Sequence, residues 1–142
     1  PLQDLSAIAG TSKDNLSKTL ALRGYIRLIG VDTVRNDEEK AAEYRKALSL
    51  TVEIPERRLV LSGVSRLGTR SAFDLAAGFL QEKGLEQEAA AAVEAIGQSV
   101  WNRYPAEVLP ALKRAVAVTG DETTRVRAQG LIDRIRKDFA IE

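Results

Sequence analysis

Apolar residues recur along the chain with the spacing of one face of an α-helix. Four segments, at residues 22–30, 60–68, 89–97 and 128–136, align position by position. Each carries apolar or small residues at i, i+3, i+4 and i+7, which an α-helix gathers into one stripe. The four columns are Leu22, Val60, Ala89 and Ala128; Tyr25, Gly63, Ala92 and Leu131; Ile26, Val64, Val93 and Ile132; and Ile29, Leu67, Ile96 and Ile135. In the last segment, Gly130 could equally be aligned with Gly63.

Further apolar stripes precede these four segments and predict a first helix ahead of each one. The predicted first helices lie at 2–10, 38–50, 70–82 and 106–118. Turn-forming residues separate the helices, and Pro55 and Pro105 stand where a helix would begin, a position that tolerates a missing N–H. The stripe residues of the three longer first helices are Ala41, Tyr44, Ala47, Leu48, Ala72, Leu75, Ala76, Phe79, Leu80, Val108, Leu109, Leu112, Ala115 and Val116.

The pattern predicts an all-α fold, because no segment alternates apolar and polar residues as a strand would. We expect a single domain over 1–142, built from about four antiparallel helix pairs. The approximate pairs are 1–30, 37–68, 69–104 and 105–138. Each pair has an apolar face too wide to bury alone, so we expect the pairs to stack into a right-handed α-α superhelix, a solenoid whose second helices line the concave wall. Pro1 followed at once by helix-like sequence suggests a fragment of a longer chain.

Composition narrows the possible chemistry. The chain has 142 residues, 44% of them hydrophobic and 29% charged, with no cysteine and no histidine. Disulfides, thiolate zinc sites and cysteine nucleophiles are excluded, and the commonest general base is missing. The carboxylates cluster near predicted helix starts, where they complement the helix dipole, and no segment has the spacing of a calcium or phosphate loop. We therefore expect no enzymatic activity, no cofactor and no metal.

Charge and hydropathy bear on partners and compartment. The net charge of +1 provides no long-range field for gathering nucleic acid, so nucleic-acid binding is not favoured. No run approaches 18 apolar residues, so we expect no membrane insertion. We expect a soluble protein, and its compartment stays open between the cytoplasm and export as part of a larger protein.

The side of the second helices opposite the stripe predicts a binding face. Small residues lie there, with arginines beside them that could fork onto carboxylates of a partner. The small residues are Gly24, Ser62, Ala91 and Gly130, and the arginines are Arg27, Arg58, Arg66 and Arg134. Alternatively, the small residues ease packing and the arginines pair with Glu94, Asp133 and other neighbours. Trp101 and Tyr104 continue the third stripe and would fill the gap before Pro105; an exposed Trp101 would instead suit a partner contact.

The last helix pair resembles a HEAT repeat. It carries Pro110 inside its first helix, Asp121 in the turn, and Val126 with Arg127 five and six residues later. The resemblance implies that the proline bends the first helix, while Asp121 and Arg127 brace the loop or the preceding repeat. Arg125 would then be exposed near the helix start.

The resemblance extends over the chain, although the other pairs keep the apolar pattern and lose the signature. The residues aligned with Asp121 are Asn15, Glu53 and Glu82, and those aligned with Arg127 are Ala21, Leu59 and Glu88. Stretches such as "EKAAEYRKALSL" and "RRLVLSGVSRLGT" also look like HEAT segments attached to large exported bacterial proteins. That likeness implies an accessory module within a multidomain bacterial protein.

Three functional hypotheses follow. The first is a non-catalytic module for protein–protein interaction or scaffolding, which presents the concave face of the second helices to a protein, including another domain of its parent chain. The second is a nucleic-acid-binding domain of the HEAT-like DNA glycosylase type, using arginines on the concave face. The third is a role like that of the HEAT-like phycobilin lyases, which hold a chromophore protein. The few aromatic residues, 5% of the chain, count against nucleic acid.

Overall fold

The computed structural model describes residues 2–11 and 14–140, and these residues form eight α-helices. The helices are α1 (Leu2–Thr11), α2 (Asn15–Val31), α3 (Asp37–Ser49), α4 (Ile54–Val64), α5 (Arg70–Ala77), α6 (Glu86–Val100), α7 (Pro105–Val118) and α8 (Glu122–Phe139). Neither described range contains a β-strand. The predicted all-α fold is confirmed.

The helices pack in pairs and in layers. Each odd-numbered helix contacts the even-numbered helix that follows it. The even-numbered helices also contact one another in chain order, α2 with α4, α4 with α6 and α6 with α8, while α3 contacts α5. This packing is compatible with an α-α superhelix, with the second helices forming a continuous layer.

The predicted stripes of the second helices form the core. Every residue of the four columns except Gly63 is at most 7% exposed. On the first helices, the stripe residues are likewise buried except for Leu75, Phe79 and Val116, which are half-buried against the core. Because burial of one large aliphatic side chain contributes roughly 1.5–3 kcal/mol, these stripes supply the main drive for stacking.

The first helix of the third pair is shorter than the predicted range 70–82. Helix α5 ends at Ala77, with Gly78 as its C-cap, and turns follow as far as Leu85. Gly84 closes this segment with a φ of 89°, a conformation that L side chains rarely adopt. Leu80 is nevertheless fully buried, so it reaches the core from a turn rather than from a helix.

Local sequence sets the helix starts. Asp14 caps α2 by accepting a hydrogen bond from the Leu16 N–H. Asn36 and Glu39 form a reciprocal capping box at the start of α3, which satisfies two N–H groups that lack helical partners. Pro105 begins α7, and α4 likewise has its proline within its first two positions.

The Tyr44 side chain explains why a glycine, Gly63, occupies one position of the buried columns. It projects from α3 between α2 and α4, and a Cβ atom on Gly63 would overlap its hydroxyl. A Cβ on Gly30 of α2 would lie 3.6 Å from the same oxygen. The Tyr44 ring is therefore held between two glycines, which places its hydroxyl where α2 and α4 adjoin.

Candidate functional site

A groove of about 410 Å³ runs between α2 and α4 on the predicted binding face. Its walls include Arg27 and Val31 from α2 and Leu59, Ser62 and Arg66 from α4 and the turn after it, and Tyr44 lies at its floor. We call it the α2–α4 groove. The structure thus brings together two of the four predicted arginines and one of the predicted small residues.

Arg27 and Arg66 are both exposed, and neither side chain makes a hydrogen bond or ion pair within the described residues. Glu56, near the start of α4, is 4% exposed and pairs with Arg23, whose Nη2 lies 2.9 Å from its Oε1. The groove therefore presents two guanidinium groups that have no ion-pair partner among the described residues. Such groups form fork-like pairs with carboxylates.

Tyr44 is 2% exposed, and its hydroxyl has no hydrogen-bond partner among residues 2–11 and 14–140. Burial raises the pKa of Tyr44, and the nearby positive charge of Arg66 offsets part of that shift. The hydroxyl therefore stays protonated at neutral pH and can donate a hydrogen bond into the groove. One feature of the sequence indicates this position of Tyr44. Gly63 has no side chain at the aligned position where the other second helices carry Tyr25, Ala92 and Leu131.

Arg58, the third predicted arginine, is held by its own chain. Its guanidinium donates to the Gly84 carbonyl oxygen, with Nη2 at 3.1 Å, and lies 3.2 Å from Glu88. It therefore links α4 to the loop before α6 and to α6 itself. Neither of the two acids suggested by the sequence, Glu94 and Asp133, is its partner.

Arg134 lies at the far end of the layer, on α8. It pairs with Asp138 at 3.2 Å, and its guanidinium carbon lies 5.4 Å from the centre of the Trp101 ring. Trp101 is half-buried and meets Phe139 edge to face, with ring centres 6.0 Å apart. As predicted, Trp101 and Tyr104 pack against the core, so Trp101 is not a freely exposed side chain.

The other small residues have different surroundings. Gly24 faces α1, since a Cβ there would lie 3.4 Å from Leu5. Ala91 is exposed, and a Cβ on Gly130 would meet no atom within 4 Å. Gly130 therefore leaves open surface beside Arg134, whereas Gly24 mainly accommodates the neighbouring helix.

The residues of the HEAT-like signature only partly occupy the expected positions. Pro110 lies inside α7, and Asp121 caps α8, accepting from the Thr124 N–H at 3.2 Å and from its hydroxyl at 2.8 Å. Val126 is 60% exposed, so it lies outside the core. Arg127 is also exposed and bonds to no other described side chain, although its charge contributes to lowering the pKa of Asp121.

The bracing arginine is Arg125, which corrects the expectation. It is half-buried and donates to the Thr119 carbonyl oxygen and to Glu122, both at 2.6 Å. It therefore ties the α7–α8 turn to the first turn of α8. Arg125 follows Glu122 by three residues, a spacing at which side chains on a helix contact each other. This spacing predicts the ion pair, whereas the resemblance to HEAT repeats pointed to Arg127.

One acidic side chain away from the groove, Glu43, is bonded within the fold. The Tyr25 hydroxyl donates to the Glu43 carboxylate, and burial together with that carboxylate raises the pKa of Tyr25. Within the described parts of the chain, no group of three or more acidic side chains could hold a metal ion. In the same residues, no helix combines the length and the apolar character needed to cross a bilayer.

Comparison with known protein families, with curated proteins and with solved structures finds no match for this chain. The resemblance to HEAT repeats therefore rests on the sequence pattern alone.

Proposed function

We propose that the protein is a non-catalytic module for protein–protein interaction or scaffolding, which binds its partner on the layer of second helices. The observation that carries the proposal is the α2–α4 groove, where Arg27 and Arg66 form no ion pair with any described residue and lie beside exposed Val31 and Leu59. Protein interfaces combine such apolar contacts with arginine anchors. The HEAT-like pattern supports the same role, because stacked helix pairs build extended binding surfaces.

Nucleic acid is the rival partner. A net charge of +1 gives little electrostatic attraction to a polyanion, and two of the four candidate arginines, Arg58 and Arg134, already pair with acids of the chain. Local pairing by the two remaining arginines suits a carboxylate-bearing protein better than a long phosphate backbone.

Affinity capture with matched charge reversals tests the proposal. The partner captured by the unaltered chain should be lost with Arg27→Glu/Arg66→Glu. It should be retained with Arg45→Glu/Arg114→Glu, which makes the same charge change at exposed positions of the first helices α3 and α7. Retention of the partner by the groove variant, or release of all captured material by nuclease, would contradict the proposal. Circular dichroism of each variant verifies the fold.

A further inference from the structure

We infer that the α2–α4 groove binds an amphipathic helix of the partner protein, one whose apolar stripe is flanked by Asp or Glu side chains. The inference rests on the proposed function and specifies the chemistry of the partner. Apolar exposure, uncompensated charge and the Tyr44 hydroxyl each support it.

Apolar side chains line the groove although they face solvent. Val31 is 64% exposed on the α2 wall, and Leu59 is 46% exposed on the α4 wall. Beyond the groove lining, Leu20 is 58% exposed and lies two helical turns before Arg27 on the same face of α2. Burying this surface against a partner is favourable at roughly 25 cal/mol per Å².

Positive charge flanks that apolar surface on both walls. Arg27 belongs to α2 and Arg66 to the turn after α4, and neither is neutralised by the described residues. Glu56, near the start of α4, is buried and paired with Arg23. An apolar stripe with acids along both edges is complementary to this arrangement, because each edge then meets one arginine.

The Tyr44 hydroxyl adds a hydrogen-bond donor at the floor. It has no acceptor within the described chain, although its residue is 2% exposed. The oxygen is not among the buried polar atoms that lack a partner in the described residues, so solvent still reaches it, and a carboxylate oxygen entering the groove could replace water as its acceptor. Because this hydroxyl stays protonated, it adds no negative charge that would repel a carboxylate of the partner.

The shape of the site favours a helix over an extended segment. The backbone groups of α2 and α4 are occupied within their own helices, so neither wall offers a free edge for strand addition. An extended chain in the groove would leave its own N–H and C=O groups facing apolar walls. A helix satisfies its backbone internally and packs its side chains between those of two neighbouring helices.

The probe is a fluorescein-labelled model helix of about 18 residues, long enough to be helical in isolation, with a leucine stripe flanked by glutamates. Its match carries lysines in place of the glutamates. Fluorescence anisotropy should show the glutamate peptide binding about tenfold more tightly than the lysine peptide. Arg27→Glu/Arg66→Glu should reverse that preference, whereas Arg45→Glu/Arg114→Glu should leave it unchanged.

Tyr44→Phe provides the finer test, since it keeps the ring between Gly30 and Gly63 and removes only the hydroxyl. It should weaken binding of the glutamate peptide by about fivefold. If Tyr44→Phe leaves the affinity unchanged, the hydroxyl does not contact the peptide, and that part of the inference is overturned.

Three results with peptides that do bind would overturn the inference as a whole. They are equal binding of both peptides, affinity that survives the groove double variant, and stronger competition by a phosphoserine peptide or by duplex DNA than by the unlabelled glutamate peptide. Failure of every peptide to bind would also overturn it. In that case the proposed function would still stand if capture of the natural partner remained sensitive to the groove variant, so the two failures are distinguishable.

Discussion

Two helical glycines meet opposite surroundings, and they illustrate how single residues set the packing of this fold. Gly63 lies against Tyr44, whereas Gly130 faces open space on α8. Glycine in a helix interior costs roughly 0.5–1 kcal/mol relative to alanine. That cost is offset at Gly63 by the close approach of the tyrosine, and nothing comparable offsets it at Gly130.

Alanine substitution should therefore have opposite effects at these two positions. Gly63→Ala should lower the free energy of unfolding by about 1–3 kcal/mol, because the added methyl group overlaps the buried Tyr44 side chain. Gly130→Ala should raise it by about 0.5–1 kcal/mol through helix propensity. Urea unfolding measures both. A stabilised Gly63→Ala protein would show that Tyr44 does not occupy this gap.

Asp32 provides a test through pH. The Arg35 guanidinium, and after it the Val34 N–H, lowers the pKa of Asp32 from its usual 3.8 to about 2. Stability from this carboxylate is fully present above 3.8 and is lost as the pH falls toward 2, because the unfolded chain takes up the proton first. Asp32→Asn should therefore show a smaller drop in the free energy of unfolding across that window. Identical pH profiles for variant and parent would contradict the assignment.

At the scale of elements, apolar periodicity predicted the helices well and predicted contacts between them less well. The stripe through Ile26, Val93 and Ile132 is buried because burial follows directly from the helical period. The early end of α5 and the position of Tyr44 depend on how neighbouring helices meet, which local spacing does not encode. The groove also depends on how neighbouring helices meet. The distance between α2 and α4 decides that Arg27 and Arg66 lie on opposite walls of one groove.

The turn between α7 and α8 shows how a repeat signature can point to the wrong side chain. Arg125→Ala should destabilise the protein by about 1 kcal/mol, since it removes the bonds to the Thr119 carbonyl and to Glu122. Arg127→Ala should change stability by less than about 0.5 kcal/mol, because that exposed side chain has no bonded partner in the described chain. Thermal unfolding of the two variants side by side compares them. A larger loss for Arg127→Ala would restore the HEAT-like brace.

Over the described residues, the helix pairs form a row in which each second helix packs against the second helices next to it in the layer. Stability in such an array is approximately a sum of contributions from each helix pair and each interface between pairs. How far a substitution destabilises neighbouring helices should therefore depend on its place in the row. Helix α6 contacts α4, α5, α7 and α8, whereas α8 contacts α6 and α7 at the end of the row. Ile96 on α6 and Ile132 on α8 are both buried.

Ile96→Ala and Ile132→Ala should each cost about 2–5 kcal/mol by leaving a cavity, while Arg66→Ala should cost under about 1 kcal/mol. Their effects on amide hydrogen exchange should differ in extent. Ile132→Ala should accelerate exchange in α7 and α8 and leave α2 and α3 protected, because α8 packs against α6 and α7, and α4 and α6 lie between it and α2. Ile96→Ala should accelerate exchange in α4 as well, since α6 packs on both sides. Uniform acceleration by both variants would mean that the row unfolds as one cooperative unit, and the groove between α2 and α4 would then depend on packing at the opposite end of the chain.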